Sequence, residues 1–261
     1  MSAAVAPRPD ALPSRPVEQP DVHSSTEVYA RRFEGPAGRY LLDVQTRALR
    51  RLVAPWPQAS VLDVGGGHGQ VAAPLAEKGY AVTVLASNDG AFGRARAIKG
   101  DRVRLAVGEL CAPAFPDQSF DISIALRMMA HVEDWRALVR GLCRVTRHAV
   151  IVDFPIPGGS NALAPVLFGM KKRFEGDTRG FAVMAKPEVR RAFAENGFTV
   201  DEVIGQFVLP MAVHRALKAP RVSQALEAAL RGCGFAHRLG TPVILRAVRA
   251  GFPAGFPREA G

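Results

Sequence analysis

Between residues 59 and 154, short apolar runs of strand length alternate with segments in which apolar positions recur every three or four residues. The runs rich in β-branched residues, such as VTVL and AVIVDF, are typical of strands covered on both faces, and the segments between them are typical of amphipathic helices. The pattern predicts strands at residues 60–64, 81–86, 102–107, 120–126 and 148–154, with helices at 69–78, 89–98 and 132–146. Five such units predict a doubly wound α/β fold with a mostly parallel sheet.

The segments before and after this core carry other patterns. Residues 1–22 hold five prolines and no periodicity, which predicts a disordered tail, and residues 251–261 are also expected to be a tail. Residues 23–58 show helical spacing with a break at Gly35-Pro36, which predicts two helices joined by a bend. Within residues 155–250, a helix at 187–196 and strands at 198–207 and 242–248 complete the fold, and the stretches 155–186 and 207–240 interrupt it as insertions.

The net charge of +10 is concentrated in the last third of the chain. Residues 155–261 carry 15 basic and 8 acidic side chains, so they hold +7 of the total. A basic excess of this kind suits a nucleic acid, an anionic membrane surface or an acidic substrate. It also arises from composition alone, and Arg outnumbers Lys by 28 to 6 in a chain rich in Ala, Gly and Pro. Charge therefore leaves the partner open.

Features missing from the sequence disfavour several classes of protein. No segment reaches the roughly 20 uninterrupted apolar residues that span a bilayer, and the N-terminus has no apolar core of a signal peptide. The three scattered cysteines form no Cys-x-x-Cys pair, so neither a disulfide framework nor a cysteine-rich zinc site is expected. We therefore expect a cytoplasmic protein.

The segment VLDVGGGHGQ, residues 61–70, holds the most specific chemical signal. A strand that ends in glycines and opens into a helix presents main-chain N–H groups to a ligand, which can approach closely because the Cβ atoms are absent. A nicotinamide dinucleotide would place its pyrophosphate here, and Asp63, two residues before Gly65, would repel it. The spacing of Gly67, Gly69 and Ala72 nevertheless matches the dinucleotide fingerprint, so this alternative stays open.

The glycine loop resembles the first motif of class I S-adenosylmethionine-dependent methyltransferases, in which a strand with an acid is followed by G-x-G-x-G. The resemblance continues in Gly108-Glu109-Leu110 after the third strand, in FPDQSFDISIALRMMAHVEDW around the fourth, and in LCRVTRHAVIVDFP around the fifth. Several motifs in register are more specific than one glycine loop. By these motifs the chain is identified as a member of the type 11, or quinone-biosynthesis-like, group of this family.

The resemblance implies a seven-stranded, mostly parallel sheet with an antiparallel last strand, helical cap insertions, and S-adenosylmethionine as the cofactor. This cofactor carries an ammonium, a sulfonium and only one carboxylate, which suits an acid beside the loop. Residues 59–154 would form the core that binds it, and the helices of 23–58 would cover it. The implied contacts are the glycine loop with its acid, an adenine contact at Glu109 and a residue that passes the sulfonium. The cofactor-binding candidates are Asp63, Gly65, Gly67, Gly69, Ser87, Glu109, Leu110 and Arg127.

One position departs from the family. Its second strand usually ends in an acid that binds both ribose hydroxyls, but here the strand ends in Ala86, followed by Ser87, Asn88 and Asp89. Ribose recognition would then use one of these three polar residues. The dinucleotide alternative needs an acid at the same place, so it gains nothing from the departure.

Methyl transfer from a sulfonium mainly requires alignment of donor and acceptor, with a base only where the acceptor must lose a proton. His131, after the fourth strand, and Asp153, near the end of the fifth, lie where ligands sit in open α/β sheets, and they are the candidate catalytic residues. Both also suit structural roles, at a helix start and before a turn. His214 is a further candidate for a catalytic role. Arg127-Met128-Met129 supplies no cluster of metal ligands, so no metal is expected.

The expected acceptor is an apolar or amphipathic small molecule, methylated on O, N or C, because both insertions are rich in Phe, Leu, Val and Met. Nucleic acid is not expected, since the family's Asn/Asp-Pro-Pro-aromatic motif is absent after the fourth strand. Lys171, Lys172 and Arg173 beside an apolar run suit either a peripheral membrane contact or a solvated loop. A monomer or homodimer is expected. A non-catalytic protein that keeps the fold and an NAD(P)-dependent oxidoreductase are the alternative functions.

Overall fold

The computed structural model describes residues 19–157, 182–209, 214, 220–233 and 240–251. The strands of this part are β1 (Ser60–Val64), β2 (Ala81–Ala86), β3 (Val103–Val107), β4 (Phe120–Ala125), β5 (Thr146–Phe154), β6 (Phe198–Gly205) and β7 (Val243–Arg249). They form one sheet in the order β3-β2-β1-β4-β5-β7-β6. Neighbours from β3 to β5 are parallel, and β7 lies antiparallel between β5 and β6. The predicted seven-stranded, doubly wound and mostly parallel α/β sheet is confirmed.

The described helices flank this sheet. They are α1 (Pro20–Ser24), α2 (Glu27–Ala30), α3 (Gly35–Val53), α4 (Ala72–Ala76), α5 (Trp135–Val145), α6 (Lys186–Glu195) and α7 (Pro220–Gly232), with 3₁₀ helices at Arg31–Phe33 and Asp89–Ala97. The predicted bend at Gly35-Pro36 is the start of α3, where Gly35 has a φ of +71°. The predicted tail ended at residue 22, whereas α1 begins at Pro20. Residues 1–18 of that tail lie outside the described residues.

Three predicted helices differ in extent or type. The helix expected at 69–78 is confined to α4, because residues 70 and 71 still belong to a turn that follows the glycines. The helix expected at 89–98 is a 3₁₀ helix, and Gly93 interrupts it at a φ of +46°. α5 begins later than expected because Asp134 is its N-cap and accepts a hydrogen bond from the N–H of Ala137 at 2.9 Å. His131 therefore lies in a turn before this helix rather than at its start.

Helices cover both faces of the sheet. α3 and α4 pack on one face through Leu52 and Leu75, and α5 and α6 pack on the other through Leu142 and Phe193. All four side chains are fully buried. Burying an apolar side chain of this size contributes about 1.5–3 kcal/mol. The recurrence of apolar residues every three or four positions in the sequence therefore reflects the packing of helices on both faces of the sheet.

Two buried acids face the same helical layer. Successive side chains of a strand point to opposite faces, so residues two apart share a face. Val61 of β1 packs in the layer of α3 and α4, and Asp63 follows it by two residues. Ile151 of β5 packs in the same layer, and Asp153 follows it by two residues. Because parallel strands end at one edge, these acids lie near the C-terminal edge of the sheet.

Much of the predicted cap lies outside the described residues. This applies to 158–181, including Lys171, Lys172 and Arg173, to 210–213, 215–219 and 234–239, and to 252–261 of the C-terminal tail. The described part of the two predicted insertions is residues 155–157, 182–186, 207–209, 214, 220–233 and 240, which include α7 and His214. No helix among the described residues is long and apolar enough to cross a membrane.

Candidate functional site

The glycine loop after β1 packs tightly against its surroundings. The N–H of Gly65, whose φ is +75°, donates a hydrogen bond to the main chain of β2 at 2.8 Å. A Cβ atom on Gly66 would lie 1.9 Å from the carboxylate of Asp63, and one on Gly67 would lie 1.9 Å from the carbonyl oxygen of Ala91. Only glycine fits at these two positions. The loop is thus bare where a ligand would meet its main chain.

Asp63 is a buried carboxylate beside the glycine loop. Its residue is 1% exposed, and its Oδ2 makes no hydrogen bond to any residue that the structure describes. Burial raises the pKa of Asp63 to about 7, and the nearby guanidinium of Arg127 lowers it in part. A buried carboxylate without a full set of partners is costly when charged, so a cationic ligand at this place would stabilise it.

Arg127 comes directly after β4 and borders the same pocket as Asp63. Its backbone has a φ of +60°, a conformation that costs a non-glycine residue about 1–2 kcal/mol. The guanidinium donates a hydrogen bond to Oε1 of Gln45 at 2.9 Å and lies 5.1 Å from the ring centre of Phe33. The Gln45 contact and the Phe33 ring hold the arginine between α3 and the N-terminal helices.

Asp153 holds Arg127 from the neighbouring strand. Its carboxylate accepts hydrogen bonds from the main-chain N–H of Arg127 and from Nε2 of Gln45 at 3.4 Å, and the side chain of Gln206 lies near it. Burial raises the pKa of Asp153 to about 6, and the contacts to Arg127 lower it in part. Asp153 is 3% exposed and does not border the glycine-loop pocket. The arrangement suits a positioning residue better than a group that contacts substrate.

The pocket at the glycine loop is covered by the N-terminal helices. Its side walls include Tyr29 of α2, together with Asp63, Arg127 and Gln70. The cavity is about 10 Å³, which is room for about one water molecule. A nucleoside needs far more space, so α2, which supplies Tyr29 to the wall, has to move when such a ligand enters. Gly69, at a φ of +68°, is the last glycine of the loop.

Three predicted site residues lie away from this pocket. His131 is half-buried, and its N–H donates to the carbonyl of Met128 at 2.9 Å. Glu109 is exposed after β3, two strands away from β1. Leu110 is 1% exposed and belongs to the core that packs on α5. The structure therefore gathers Asp63, Arg127 and the glycines, but it does not bring these three residues to them.

Sequence reasoning predicted Ser87 at the end of β2 but missed Asp21, which contacts it. Ser87 follows the fully buried Ala86, and its main-chain N–H donates to Oδ2 of Asp21 at 2.8 Å. Asp21 belongs to α1 and is itself fully buried. The Ser87 hydroxyl is buried and has no partner among the described residues. No local signal in a proline-rich stretch could have revealed a contact across 66 positions of sequence.

A second cavity lies beside α3. It is about 670 Å³ and is lined by α3, the end of β6 and α7. Its apolar lining includes Tyr40, Val44 and Ile204, and its polar lining includes Arg47 and Gln206. Because Gln206 also lies near Asp153, and Asp153 accepts a hydrogen bond from the N–H of Arg127, these residues connect the groove to the glycine-loop pocket.

His214 is buried and structural in character. Its Nε2 lies 3.3 Å from Oε1 of Glu227 on α7, and its ring packs against Phe207. Glu227 also accepts the main-chain N–H groups of Val208 and Leu209 at 3.0 and 2.7 Å. Burial raises the pKa of Glu227, but the hydrogen bonds from His214 and these N–H groups outweigh it, so the pKa lies below its ordinary value. The pair fastens α7 to the segment after β6.

Part of the chain matches a known family model. Residues 62–152, which include most of β1, the glycine loop, β2 to β4 and most of β5, match the family model described as "Methyltransferase domain". None of the curated proteins compared with the chain matches it.

Solved structures share the fold at low identity. Magnesium protoporphyrin IX methyltransferase from Synechocystis PCC 6803 with bound SAH is 16% identical, with 86% of this chain and 94% of that chain covered and a TM-score of 0.61. A SAM-dependent methyltransferase from Thermotoga maritima is 16% identical, with 88% and 98% covered and a TM-score of 0.60. The cyclase SpnF is 19% identical, with 80% of each chain covered and a TM-score of 0.54. At these identities the likeness shows the fold.

Proposed function

We propose, from the premise that this chain carries a methyltransferase domain of the S-adenosylmethionine-dependent class, that it methylates an apolar or amphipathic small molecule. The acceptor and the methylated atom are the proposed part. When bound, S-adenosylmethionine supplies a methyl group on a sulfonium. The residues of the chain bind and orient the two reactants, and their alignment provides most of the catalysis.

The buried carboxylate of Asp63 carries the cofactor assignment. The amino-acid end of S-adenosylmethionine is a zwitterion, and Asp63 and Arg127 border one pocket with opposite charges. We assign the cofactor's ammonium to Asp63 and its carboxylate to Arg127, since each charge then gains a partner. A pyrophosphate would instead meet an unpaired anion, which argues against an NAD(P)-dependent oxidoreductase.

Roles at the reacting end follow from the contacts. Asp153 is engaged with Arg127 and Gln45, so we assign it to positioning Arg127 beside the cofactor. His131 remains the candidate base, needed only where the acceptor must lose a proton, and its turn would have to bring it closer. Glu109 remains the candidate adenine contact. It is exposed after β3, and the N–H of Gly108 bonds the carbonyl of Ala86 at 3.0 Å, so it lies near the end of β2.

The groove beside α3 is the proposed acceptor site. Its volume of about 670 Å³ lies within the range of about 300–1,000 Å³ that small-molecule sites occupy. Tyr40, Val44 and Ile204 suit an apolar body, and Arg47 suits an anionic group at one end. The acceptor is therefore expected to be amphipathic. Gln206 lies near Asp153, which accepts the N–H of Arg127, so these residues connect the groove to Arg127.

Calorimetric titration of the full chain with S-adenosylhomocysteine, with NAD and NADP in parallel, tests the cofactor assignment. Micromolar binding of S-adenosylhomocysteine alone is the expected result, and tight binding of NAD or NADP would overturn it. A fold that also carries a cyclase makes a second assay necessary. We expect tritium to pass from methyl-labelled S-adenosylmethionine to members of a panel of phenols, hydroxyquinones and amphipathic acids.

A pair of variants on α7 tests the groove. Ala228 lines the groove, whereas Ala225 is exposed on the same helix and is not part of its lining. Ala228→Trp should raise KM for the acceptor at least tenfold, about 1.4 kcal/mol, because the indole fills the groove. Ala225→Trp should leave KM unchanged, and both variants should bind S-adenosylhomocysteine like the wild type. Equal KM values for the two variants would place the acceptor elsewhere.

The non-catalytic alternative draws on Ala86, where the family's usual ribose acid is absent. It predicts binding of S-adenosylhomocysteine with no transfer of label to any acceptor. The contact of Asp21 with the end of β2 weakens this alternative, because a carboxylate is present there after all.

A further inference from the structure

α1 crosses the crevice between the ends of β1 and β2. Oε1 of Gln19 accepts a hydrogen bond from Nδ2 of Asn88 at 3.2 Å, just after β2. Ser25 lies against the glycine loop, since its Oγ would be 2.5 Å from a Cβ atom on Gly67. Asp21 lies between these two contacts along the chain. Its carboxylate is therefore held at the point where the two strands end.

The carboxylate of Asp21 lies beside a second polar group. Its Oδ2 accepts the main-chain N–H of Ser87 at 2.8 Å, and the hydroxyl of Ser87 is buried without a partner among the described residues. Burying a hydroxyl without a hydrogen bond is costly. A ligand that brings its own donors and acceptors to this place would satisfy the Ser87 hydroxyl.

The other polar residues after β2 are engaged elsewhere. Oδ1 of Asn88 accepts the N–H of Ala91 at 3.1 Å as an N-cap. Asp89 is exposed and pairs with Arg96 at 2.6 Å. Of the carboxylates in the described residues, Asp21 is the one that contacts the main chain directly after β2.

This chemistry suits the diol of a ribose. A carboxylate accepts hydrogen bonds at both oxygens, and two adjacent hydroxyls provide two donors at matching spacing. In doubly wound folds that bind nucleotides, an acid about 20 residues beyond the glycine loop binds the ribose. Ser87 lies 20 residues after Gly67, so the ribose is expected beside the carboxylate of Asp21.

We propose that Asp21, supplied by α1 instead of β2, binds the ribose hydroxyls of the cofactor together with the hydroxyl of Ser87. The inference rests on the proposed function, because it assumes an adenosyl cofactor at the glycine loop. It also explains why Ala86 can stand at the end of β2. Closure of α1 over the crevice then completes the cofactor site.

Calorimetry with two ligands tests the proposal on the full chain. The probes are S-adenosylhomocysteine and its 2′-deoxyribose analogue. The wild type should bind the first at least tenfold more tightly. Asp21→Asn should bind S-adenosylhomocysteine at least tenfold more weakly than the wild type does. It should bind the two ligands almost equally, because the amide forms a weaker hydrogen bond with the 2′-hydroxyl than the carboxylate of Asp21 does.

A merely structural role for Asp21 gives a different result. If Asp21 only fastens α1, Asp21→Asn weakens both ligands by the same factor and keeps the tenfold preference, which overturns the proposal. A wild type that binds both ligands equally overturns it as well, while the proposed function stands. A wild type that binds neither overturns the proposed function and this inference together.

Three further variants extend the test, and Ser87→Ala keeps the proposal testable if Asp21→Asn does not fold. Ser87→Ala leaves the N–H that Asp21 accepts, so the contact with α1 stays, and it should reduce affinity for S-adenosylhomocysteine about threefold without changing that of the deoxy analogue. The control is Asp89→Asn, which removes an exposed carboxylate two residues away and should change neither affinity. In the Asp21→Asn background, Ala86→Asp should restore the preference for the ribose hydroxyl, and failure of both Ser87→Ala and this rescue would overturn the assignment.

Discussion

The main-chain N–H of Arg127 donates a hydrogen bond to the buried carboxylate of Asp153 on the neighbouring strand. Arg127 adopts a positive φ, a backbone conformation that is unfavourable for any residue with a side chain. The contact fixes this backbone and directs the guanidinium towards Gln45 and the glycine-loop pocket. Asp153 is thereby tied to the geometry of the cofactor site without bordering it.

Replacing Asp153 distinguishes positioning from base catalysis. Asp153→Asn keeps the size and one acceptor oxygen but removes the charge, so kcat/KM should fall about tenfold, the weight of one hydrogen bond. Gln45→Leu, which removes the other contact of Arg127, should have a similar effect. Steady-state rates and their pH profiles give the measurement. A loss in the range of about 10²–10⁴ with the acid limb of the profile removed would identify Asp153 as the base instead.

Replacing Asp63 tests its contact with the cofactor's ammonium. Asp63→Asn should weaken S-adenosylhomocysteine at least tenfold, about 1.4 kcal/mol, because the charge partner is lost. Asp121→Asn is the matched control, since Asp121 of β4 lies at the opposite end of the sheet with Ser60 and Arg147. The control should lose stability but keep its affinity. Unchanged affinity in a folded Asp63→Asn protein would remove Asp63 from the site.

The stability of the ligand-free protein should fall as pH rises from about 4 to about 7. Burial raises the pKa of Asp63 from 3.8 to about 7, so in this window the folded chain binds a proton that the unfolded chain has released. Each unit of the shift corresponds to about 1.4 kcal/mol. Asp63→Asn should therefore gain stability relative to the wild type at pH 8 but not at pH 4. Denaturant unfolding at both pH values measures this, and a difference independent of pH would contradict it.

The affinity for S-adenosylhomocysteine should change with pH in the opposite direction. The ammonium of the ligand needs an ionised Asp63, so binding below pH 7 releases a proton from this carboxyl. Affinity should rise up to about tenfold between pH 6 and pH 7. Calorimetry in two buffers of different ionisation enthalpy counts the released proton. The Asp63→Asn variant should show no release, and equal release in both proteins would assign the proton to another group.

Gly66→Ala tests the close approach of the loop to Asp63. The added Cβ would lie 1.9 Å from the carboxylate, so either the loop or Asp63 has to shift. We expect S-adenosylhomocysteine affinity to fall at least tenfold and Tm to fall as well, a cost of about 1–3 kcal/mol. Gly232→Ala is the control, because nothing lies within 4 Å of its added Cβ. A wild-type affinity for Gly66→Ala would show that the loop adjusts freely.

Local patterns accounted for the sheet and for the centre of the site. β1 and β5 are short runs of buried residues, and Asp63 lies two residues before the glycine loop. Each of these features can be recognised within a short window of sequence. Arg127 was predicted from its place after β4, but its positive φ and its bond to Asp153 depend on strand register and could not be predicted. Of the predicted site residues that do not line the glycine-loop pocket, Leu110 and Glu109 follow β3, which is the edge strand two positions away from β1.

Contacts between distant segments explain what the sequence did not reveal. Asp21 stands in a stretch without periodicity, and its contact with Ser87 comes from the way α1 crosses the sheet. Glu227 lies fully buried on α7, where His214 and two N–H groups compensate its charge. Such pairings depend on the tertiary structure, because the residues that flank each partner in the sequence form no recognisable motif.

The position of β7 has a consequence for the order in which the protein assembles. β6 precedes β7 in the chain, yet β7 lies between β5 and β6 in the sheet. During synthesis β1 to β5 can therefore pair with one another, whereas β6 cannot pair until β7, its neighbour in the sheet, has been made. Gln206, which follows β6, can reach Asp153 only afterwards. The half of the sheet that carries the glycine loop can thus mature before the groove beside α3 exists, and a late folding intermediate should recognise the cofactor before it recognises the acceptor.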